Sequence, residues 1–486
     1  MSIADFTPSM MLAILPEISL LVLAGLILLV DAIWRDSGKK GLGWLTAAGM
    51  ALILTLTFVF SRPDASQSLI FGGMLRHDWP AFTFKVLVLF TAAVTSLLSI
   101  GMKQLRGRGE YYALLVITVL GMNLMASASD LIMLYLAVET TSIPLYVLAG
   151  FLKRDDKSTE SGLKYFLFGA MASTVMLYGF SLIYGFSGET NLYALAAGIQ
   201  SQALSPWLIG GAALLVIVGF AFKISAVPFH FWAPDVYEGA PTAITAYIST
   251  ASKAAGFAVL LRVMLAVFPD IQDYWTAILS AMAVVTMTLG NLLALAQTNI
   301  KRLLAYSSIA HAGYILVGVV AISPPPLGVA SVLLYLIAYV LTNLAAFAVV
   351  ILFARSAGSE EIADYAGLSR RSPGLALGLL VAFLSLAGMP PFAGFVAKVY
   401  VFAAAVQSGL IWLAFVGVIN AIVGLYYYMT VLKVVYLYRS EDEDKRIAIP
   451  GSHALALVGC VIAILVVGAL SGPWLDWMMT AASSWF

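Results

Sequence analysis

Four ionisable side chains stand deep inside long apolar runs, where a membrane would tolerate them only for a reason. Glu139 lies nine residues after Asp130, and Lys253 twelve after Pro241. Lys223 sits in Gly219-Phe-Ala-Phe-Lys-Ile-Ser-Ala-Val-Pro228, and Lys398 in Gly394-Phe-Val-Ala-Lys-Val-Tyr400. At ~1.5 Å of helix rise per residue, Glu139 and Lys253 reach roughly mid-depth. A charge at the bilayer centre costs at least ~2.5–3.5 kcal/mol on insertion scales. One acid cannot neutralise three lysines, so static ion pairing leaves the set unexplained. A proton relay explains it better. Burial disfavours the ammonium form of a lysine and a nearby carboxylate favours it. Moving Glu139 toward or away from a lysine would then switch that lysine between holding and releasing a proton. His311, ten residues into a helix that opens with Lys301-Arg302, is a candidate bridge between lysines, because imidazole changes charge near neutrality. A satisfied core histidine is the plainer alternative.

The elements that must position these residues carry breaks. Pro228 follows Lys223 by five residues, and Gly388-Met-Pro390-Pro391 precedes Lys398. A prolyl break frees backbone carbonyls, which a membrane accepts where they line a hydrated cavity or lie under protein. Kinks alone are common in membrane helices, but a break beside a buried lysine occurs here twice. Broken helices in matching places of two halves mark transport sites, although internal repetition in the sequence itself is weak.

Composition sets the frame. Of 486 residues, 62% are hydrophobic and 10% charged, against roughly 25% charged in a soluble domain. The fold class is an all-α polytopic membrane protein of about fourteen transmembrane helices, each needing ~20 apolar residues. The expected spans are 11–33, 41–61, 79–101, 111–128, 130–152, 161–186, 206–229, 241–268, 274–297, 301–322, 327–354, 374–406, 410–438 and 453–480. They form one membrane domain, 1–486. The stretch Met1–Met10 has no basic residue, so the first apolar run reads as a retained helix and not a signal peptide. A net charge of +1 gives no hint of nucleic acid, and the single Cys460 leaves no thiolate set for an iron–sulfur cluster. His77, His230, His311 and His453 are too scattered for haem. No cofactor or metal site is expected on this chain, so redox chemistry belongs on others.

Charge placement orients the spans. With the N-terminus outside, the inner loops hold Arg35, Lys39, Lys40, Lys103, Arg106, Arg108, Lys153, Arg154, Lys157, Lys301, Arg302, Arg355, Arg370, Arg371, Arg439, Lys445 and Arg446. The outer loops hold only Arg62 and Arg76. That is the positive-inside pattern, and an even span count puts both termini outside. Arg262, Lys433 and Lys85 lie near segment ends and are expected to snorkel to the headgroups; Glu17 is similarly placed.

The motifs around these residues resemble the subunit N family of bacterial proton-translocating NADH–quinone oxidoreductase (respiratory complex I), in the antiporter-like superfamily. The similar stretches are Val138-Glu139-Thr-Thr-Ser-Ile-Pro-Leu-Tyr-Val-Leu-Ala-Gly150 and Gly162-Leu-Lys164-Tyr-Phe-Leu-Phe-Gly169. So too are Lys223 through Thr242, Ser252-Lys253, Asn299-Ile-Lys-Arg-Leu-Leu-Ala-Tyr-Ser-Ser308 and Gly388-Met-Pro-Pro-Phe392. The likeness spans essentially the whole chain. A lysine at 398, where subunit M carries glutamate, and an end at Phe486 without the lateral helix of subunit L favour N. The resemblance implies two inverted five-helix repeats, about 111–268 and 274–438, after three helices (11–101) and before a last one (453–480). It implies a subunit of an NADH:quinone oxidoreductase that translocates protons in the bacterial inner membrane. The partners would be other membrane-arm and peripheral-arm subunits, which carry NADH, FMN, iron–sulfur clusters and quinone. Glu139 and Lys223 would be the switching pair, Lys253 the central relay, His311 a connector and Lys398 the exit-side residue. Lys164 would contact that network. Thr140-Thr141 depart from the bulkier apolar residues expected after the glutamate. The segment 227–242 reads as a rigid aromatic cap ordered by Asp235 and Glu238. Two other readings stand beside this one: a subunit of a cation/proton antiporter or membrane-bound hydrogenase complex, and a non-transporting scaffold.

Overall fold

The computed structural model describes residues 8–34, 39–63, 68–102, 104–105, 107–202, 204–322, 326–441 and 445–485. Of the expected inner-side cations, Arg35, Lys103 and Arg106 lie outside the described residues. The chain opens with α1 (Pro8–Ala13), α2 (Leu15–Ile33) and α3 (Leu42–Phe60), followed by a small antiparallel hairpin of β1 (Ser68–Ile70) and β2 (Leu75–His77). Next come α4 (Trp79–Ser99), α5 (Gly109–Ser127), α6 (Leu131–Ala149), α7 (Asp156–Ser187) and the short α8 (Leu192–Ser201). Then α9 (Pro206–Ile224), α10 (Trp232–Gly239), α11 (Thr242–Tyr247) and α12 (Lys253–Val267) follow. The second half holds α13 (Gln272–Ala294), α14 (Ile300–Val320), α15 (Leu327–Ala357), the one-turn α16 (Leu368–Arg371), α17 (Pro373–Ala387), α18 (Ala393–Gln407) and α19 (Ile411–Leu437). Last are α20 (Gly451–Ala469) and α21 (Ser471–Ser483).

Among the described residues, thirteen helices are long and apolar enough to cross a membrane. The fourteenth expected span, 374–406, is present as two shorter apolar helices, α17 and α18, because the chain breaks between them. Two expectations are corrected. The segment 227–242, read as a rigid aromatic cap, is not irregular throughout: it contains the two-turn helix α10, which is not itself a candidate span. The last helix, expected over 453–480, is split at Leu470 into α20 and α21.

Sequence explains where the helices begin. Asp78, Asp130, Asp155, Asn191 and Asn299 each precede a helix, and their side chains accept hydrogen bonds from its first turn. Each answers amide donors that have no partner inside the helix. The 31-residue α15 is apolar on all sides, and a helix of that kind belongs inside a bundle. It is the buried axis of the molecule, packed by α14, α17, α18, α20 and α21.

The same order recurs in two runs of five spans, α5–α12 and α13–α19, each with a broken helix in fourth place. The second helix of each run also starts alike. Leu131 N–H donates to Thr190 O while Leu192 N–H donates to Ser129 O, tying the start of α6 to the end of α7. Ile300 N–H donates to Glu360 O and Ile362 N–H to Thr298 O, tying α14 to α15 in the same way.

Two of the charges expected to snorkel do not. Arg262 is 3% exposed and meets both oxygens of Asp78, at 2.9 and 3.0 Å, as well as Tyr193 Oη and Ala126 O. Lys85 is buried against Glu17 at 2.8 Å. Each lies within reach of an acid from a distant part of the chain, and a buried pair replaces the journey to the headgroups. Lys433 is exposed, its ammonium 5.6 Å from the centre of the Tyr438 ring.

Candidate functional site

Both broken helices end on a left-handed residue. Ser225, at φ 59°, closes α9 two residues after Lys223, and Gly388, at φ 85°, closes α17. Glycine takes this conformation without cost, and it is needed at 388 for a second reason. A Cβ there would lie 2.8 Å from Lys398 Cδ. The absent side chain is what lets the ammonium reach the broken end. Lys398 Nζ donates to Leu386 O at 2.9 Å and Ala387 O at 3.0 Å, the last carbonyls of α17. The negative end of a helix dipole is a natural seat for a cation. The face of Tyr314, 5.0 Å away, completes the surroundings.

In the first run, Glu139 sits half-buried on α6 and accepts a hydrogen bond from Ser173 of α7. One turn further along α6, Ser142 Oγ accepts from Lys223 Nζ at 2.7 Å. Glu139 and Lys223 therefore sit at neighbouring levels without forming a direct ion pair. A cavity of about 20 Å³ lined by Ser142, Ser173, Lys223, Met176 and Gly219 separates their partners. A water needs roughly 10–15 Å³ of such space and two or more polar partners. The serines and the ammonium provide both.

Lys253 follows a π-helical turn, Ile248–Ser252, inside the continuous span Thr242–Val267. Such turns are frequent at functional sites. Its Nζ donates to Ser308 O at 2.7 Å and Ser308 Oγ at 2.5 Å. Tyr339 Oη donates to the same Oγ at 2.7 Å. His311, one turn from Ser308, meets Tyr335 Oη at 2.8 Å through Nδ1 and Tyr428 Oη at 3.3 Å through Nε2. Its partners are phenols and not the lysines it was expected to bridge, although the rings of His311 and Tyr339 lie 5.3 Å apart.

Lys223, Lys253, His311 and Lys398 are thus all buried, and Glu139 bonds Ser173 while Lys223 bonds Ser142, on the lining of the same small cavity. Lys164 does not join them. It is half-exposed and paired with Glu160 at 2.6 Å and Asp235 at 2.5 Å. Arg302 binds Asp235 and Glu238, and Lys157 binds Glu238, so a charged cluster pins α10 to α7 and α14. Burial pushes the Asp235 and Glu238 carboxyls up. Their hydrogen bonds and ion pairs, with Lys164 and Arg302 or with Lys157 and Arg302, outweigh this and hold both below the usual carboxylate range.

Sequence reasoning missed the hydroxyls: Ser142, Ser173, Ser308, Tyr335, Tyr339 and Tyr428. A signal existed for some of them. Ser142 follows Glu139 by three residues and Ser308 precedes His311 by three, which places each pair on one helix face. Among the described residues, no three His, Cys, Asp or Glu side chains converge as a metal-binding group.

Residues 128–424 match the family described as NADH:quinone oxidoreductase/Mrp antiporter, TM. NADH-quinone oxidoreductase subunit N of Moorella thermoacetica is 42% identical over 452 residues, 93% of this chain and 94% of that protein. A chain in the structure of respiratory complex I from Thermus thermophilus with bound aureothin superposes with TM-score 0.78 at 34% identity, covering 95% of this chain and 98% of that one. The archaeal membrane-bound sulfane sulfur reductase shares the fold, with TM-score 0.87 at 24% identity over 98% of this chain and 97% of its own. With a family match over most of its length and close likeness to these relatives end to end, the chain belongs to the antiporter-like membrane proteins of NADH-quinone oxidoreductase, in the subunit N family.

Proposed function

We propose that this chain translocates protons as an antiporter-like subunit in the membrane arm of an NADH:quinone oxidoreductase, through Glu139, Lys223, Lys253, His311 and Lys398. One observation carries the reading: buried Lys223, Lys253 and Lys398 are held by hydroxyls and carbonyls, unlike buried Lys85 and Lys301, which are paired with Glu17 and Glu360. A lysine fixed to a carboxylate is locked in its charged form. One solvated by neutral oxygens can lose its proton without stranding a buried anion. Glu139 supplies the single movable negative charge. Drawn toward Ser142 and the small cavity it stabilises the Lys223 ammonium, and drawn away it releases that proton toward Lys253. His311 connects onward to Lys398, the exit-side station.

The two five-span runs serve as inverted repeats, each contributing one broken helix to a shared polar axis. The chain sits in the bacterial plasma membrane with both termini on the outer side, following its basic residues. NADH, FMN, iron–sulfur clusters and quinone act on neighbouring membrane-arm and peripheral-arm subunits. A unit charge moved against 100 mV requires ~2.3 kcal/mol, so the driving signal comes from those neighbours.

The test is NADH-driven proton pumping in vesicles carrying Lys223→Ala, with assembly of the complex measured alongside. Intact assembly with collapsed pumping is expected. Pumping at the wild-type level would overturn the relay and leave the subunit as scaffold.

A further inference from the structure

The surroundings of Lys253 single out one hydroxyl, whose role depends on this chain being a proton relay. A serine hydroxyl can donate one hydrogen bond and accept two. Ser308 Oγ has three partners: Lys253 Nζ at 2.5 Å, Tyr339 Oη at 2.7 Å and Tyr237 Oη at 3.2 Å. They come from three different helices, α12, α15 and α10, while Ser308 itself is on α14. All four side chains are at most 2% exposed. Lys253 can only donate, and Tyr339 donates in this arrangement, so both acceptor positions are filled and the serine's own proton goes to Tyr237. Turning the Tyr339 hydroxyl away frees one acceptor position and lets Ser308 donate to Tyr339 instead.

The two phenols lead in different directions. Tyr339 packs against the ring of His311, 5.3 Å between centroids. Tyr237 belongs to α10 and is fully buried, outside the open cleft that its neighbour Glu238 lines. We infer that Ser308 is a three-way junction that passes the Lys253 proton toward the His311 side through Tyr339 or toward α10 through Tyr237, the choice being made by hydroxyl rotation. In either transfer an Nζ–H bond breaks and an Oγ–H bond forms. At the same moment the original Oγ proton moves to a phenol oxygen, which gives up its own proton to a water molecule beyond it, and that water carries the charge away. Each hydroxyl gains and loses one proton and stays neutral, and Lys253 is left as the free amine.

A serine that merely satisfied the lysine would be replaceable without effect on proton traffic. The assembled complex in vesicles separates the two roles by protons pumped per electron and by the solvent isotope effect of pumping. Ser308→Ala is expected to lower pumping by roughly tenfold, with Ser308→Thr restoring it. Tyr339→Phe and Tyr237→Phe, which remove only a hydroxyl, are each expected to lower pumping and change its isotope effect. Should Ser308→Ala fail to assemble, the two phenylalanine variants decide, and wild-type pumping in both overturns the junction. Lys253→Ala serves as the reference. If it pumps normally, the relay itself fails. If it is inactive while Ser308→Ala pumps normally, only the junction is wrong.

Discussion

Arg262 and Lys398 are both buried cations in one bundle, and their surroundings differ in kind. Arg262 meets Asp78 through two nitrogens and has Tyr193 and a backbone carbonyl besides. Lys85 has Glu17. Lys398 rests on two carbonyls, Lys253 on a serine and Lys223 on another serine. A charge paired with its opposite is fixed in place, and removing one partner strands the other. A lysine held by neutral oxygens leaves nothing stranded when it discharges. The first arrangement fixes a charge in place, and the second is the one the proposed relay requires.

Mutation can sharpen or break that contrast. Lys253→Ala removes a cation with no acidic partner, so the complex is expected to assemble while pumping falls on the order of 100-fold. Assembly on a native gel and pumping in vesicles check it, and loss of assembly would mean that this lysine is structural after all. Asp78→Asn leaves Arg262 buried without a countercharge and is expected to cost about 3–5 kcal/mol. It should show as loss of assembled complex, only partly recovered by Asp78→Leu combined with Arg262→Met, because Asp78 also caps α4 and pairs with Arg76. Gly388→Ala puts a side chain on a left-handed residue, costing about 1–2 kcal/mol, and presses on Lys398. A several-fold drop in pumping with little loss of assembly is expected.

The smallest effect lies in the charged cluster around α10. Asp235 and Glu238 are held below their ordinary values, so their stabilisation is complete above about pH 4, where the unfolded carboxyls have ionised. It is lost as pH falls through the lower folded values. Their side chains are 38% and 20% exposed, so solvent screening keeps the contribution modest. The thermal midpoint measured from pH 7 downward should fall at the acid end, and less steeply in Asp235→Asn with Glu238→Gln.

Much of the fold is visible in the residues alone. Apolar runs of the right length locate the spans, because hydropathy is a local property. Gly388-Met-Pro-Pro locates the second break, because glycine and proline act on their own backbone. The lysines announce themselves by cost. Partners are not visible where they come from far away: Asp78 is 184 residues from Arg262. The motif around Lys164 places it in the relay, yet its partner Asp235 lies 71 residues on, across the helix break. Hydroxyls are hardest to read. Serine and threonine in apolar helices often bond to their own helix, as Thr46 does to Leu42 and Thr91 to Leu87. Only the packing distinguishes Ser308 from those.

The seat of Lys398 has one more consequence. Main-chain carbonyls do not titrate, so nothing in that seat competes with the lysine for its proton. The hold on the ammonium depends on where the end of α17 stands relative to α18. A displacement of a fraction of an ångström between the two half-helices changes that hold directly. The broken helix is in this sense a transducer, where the position of one rod against another is read out as charge.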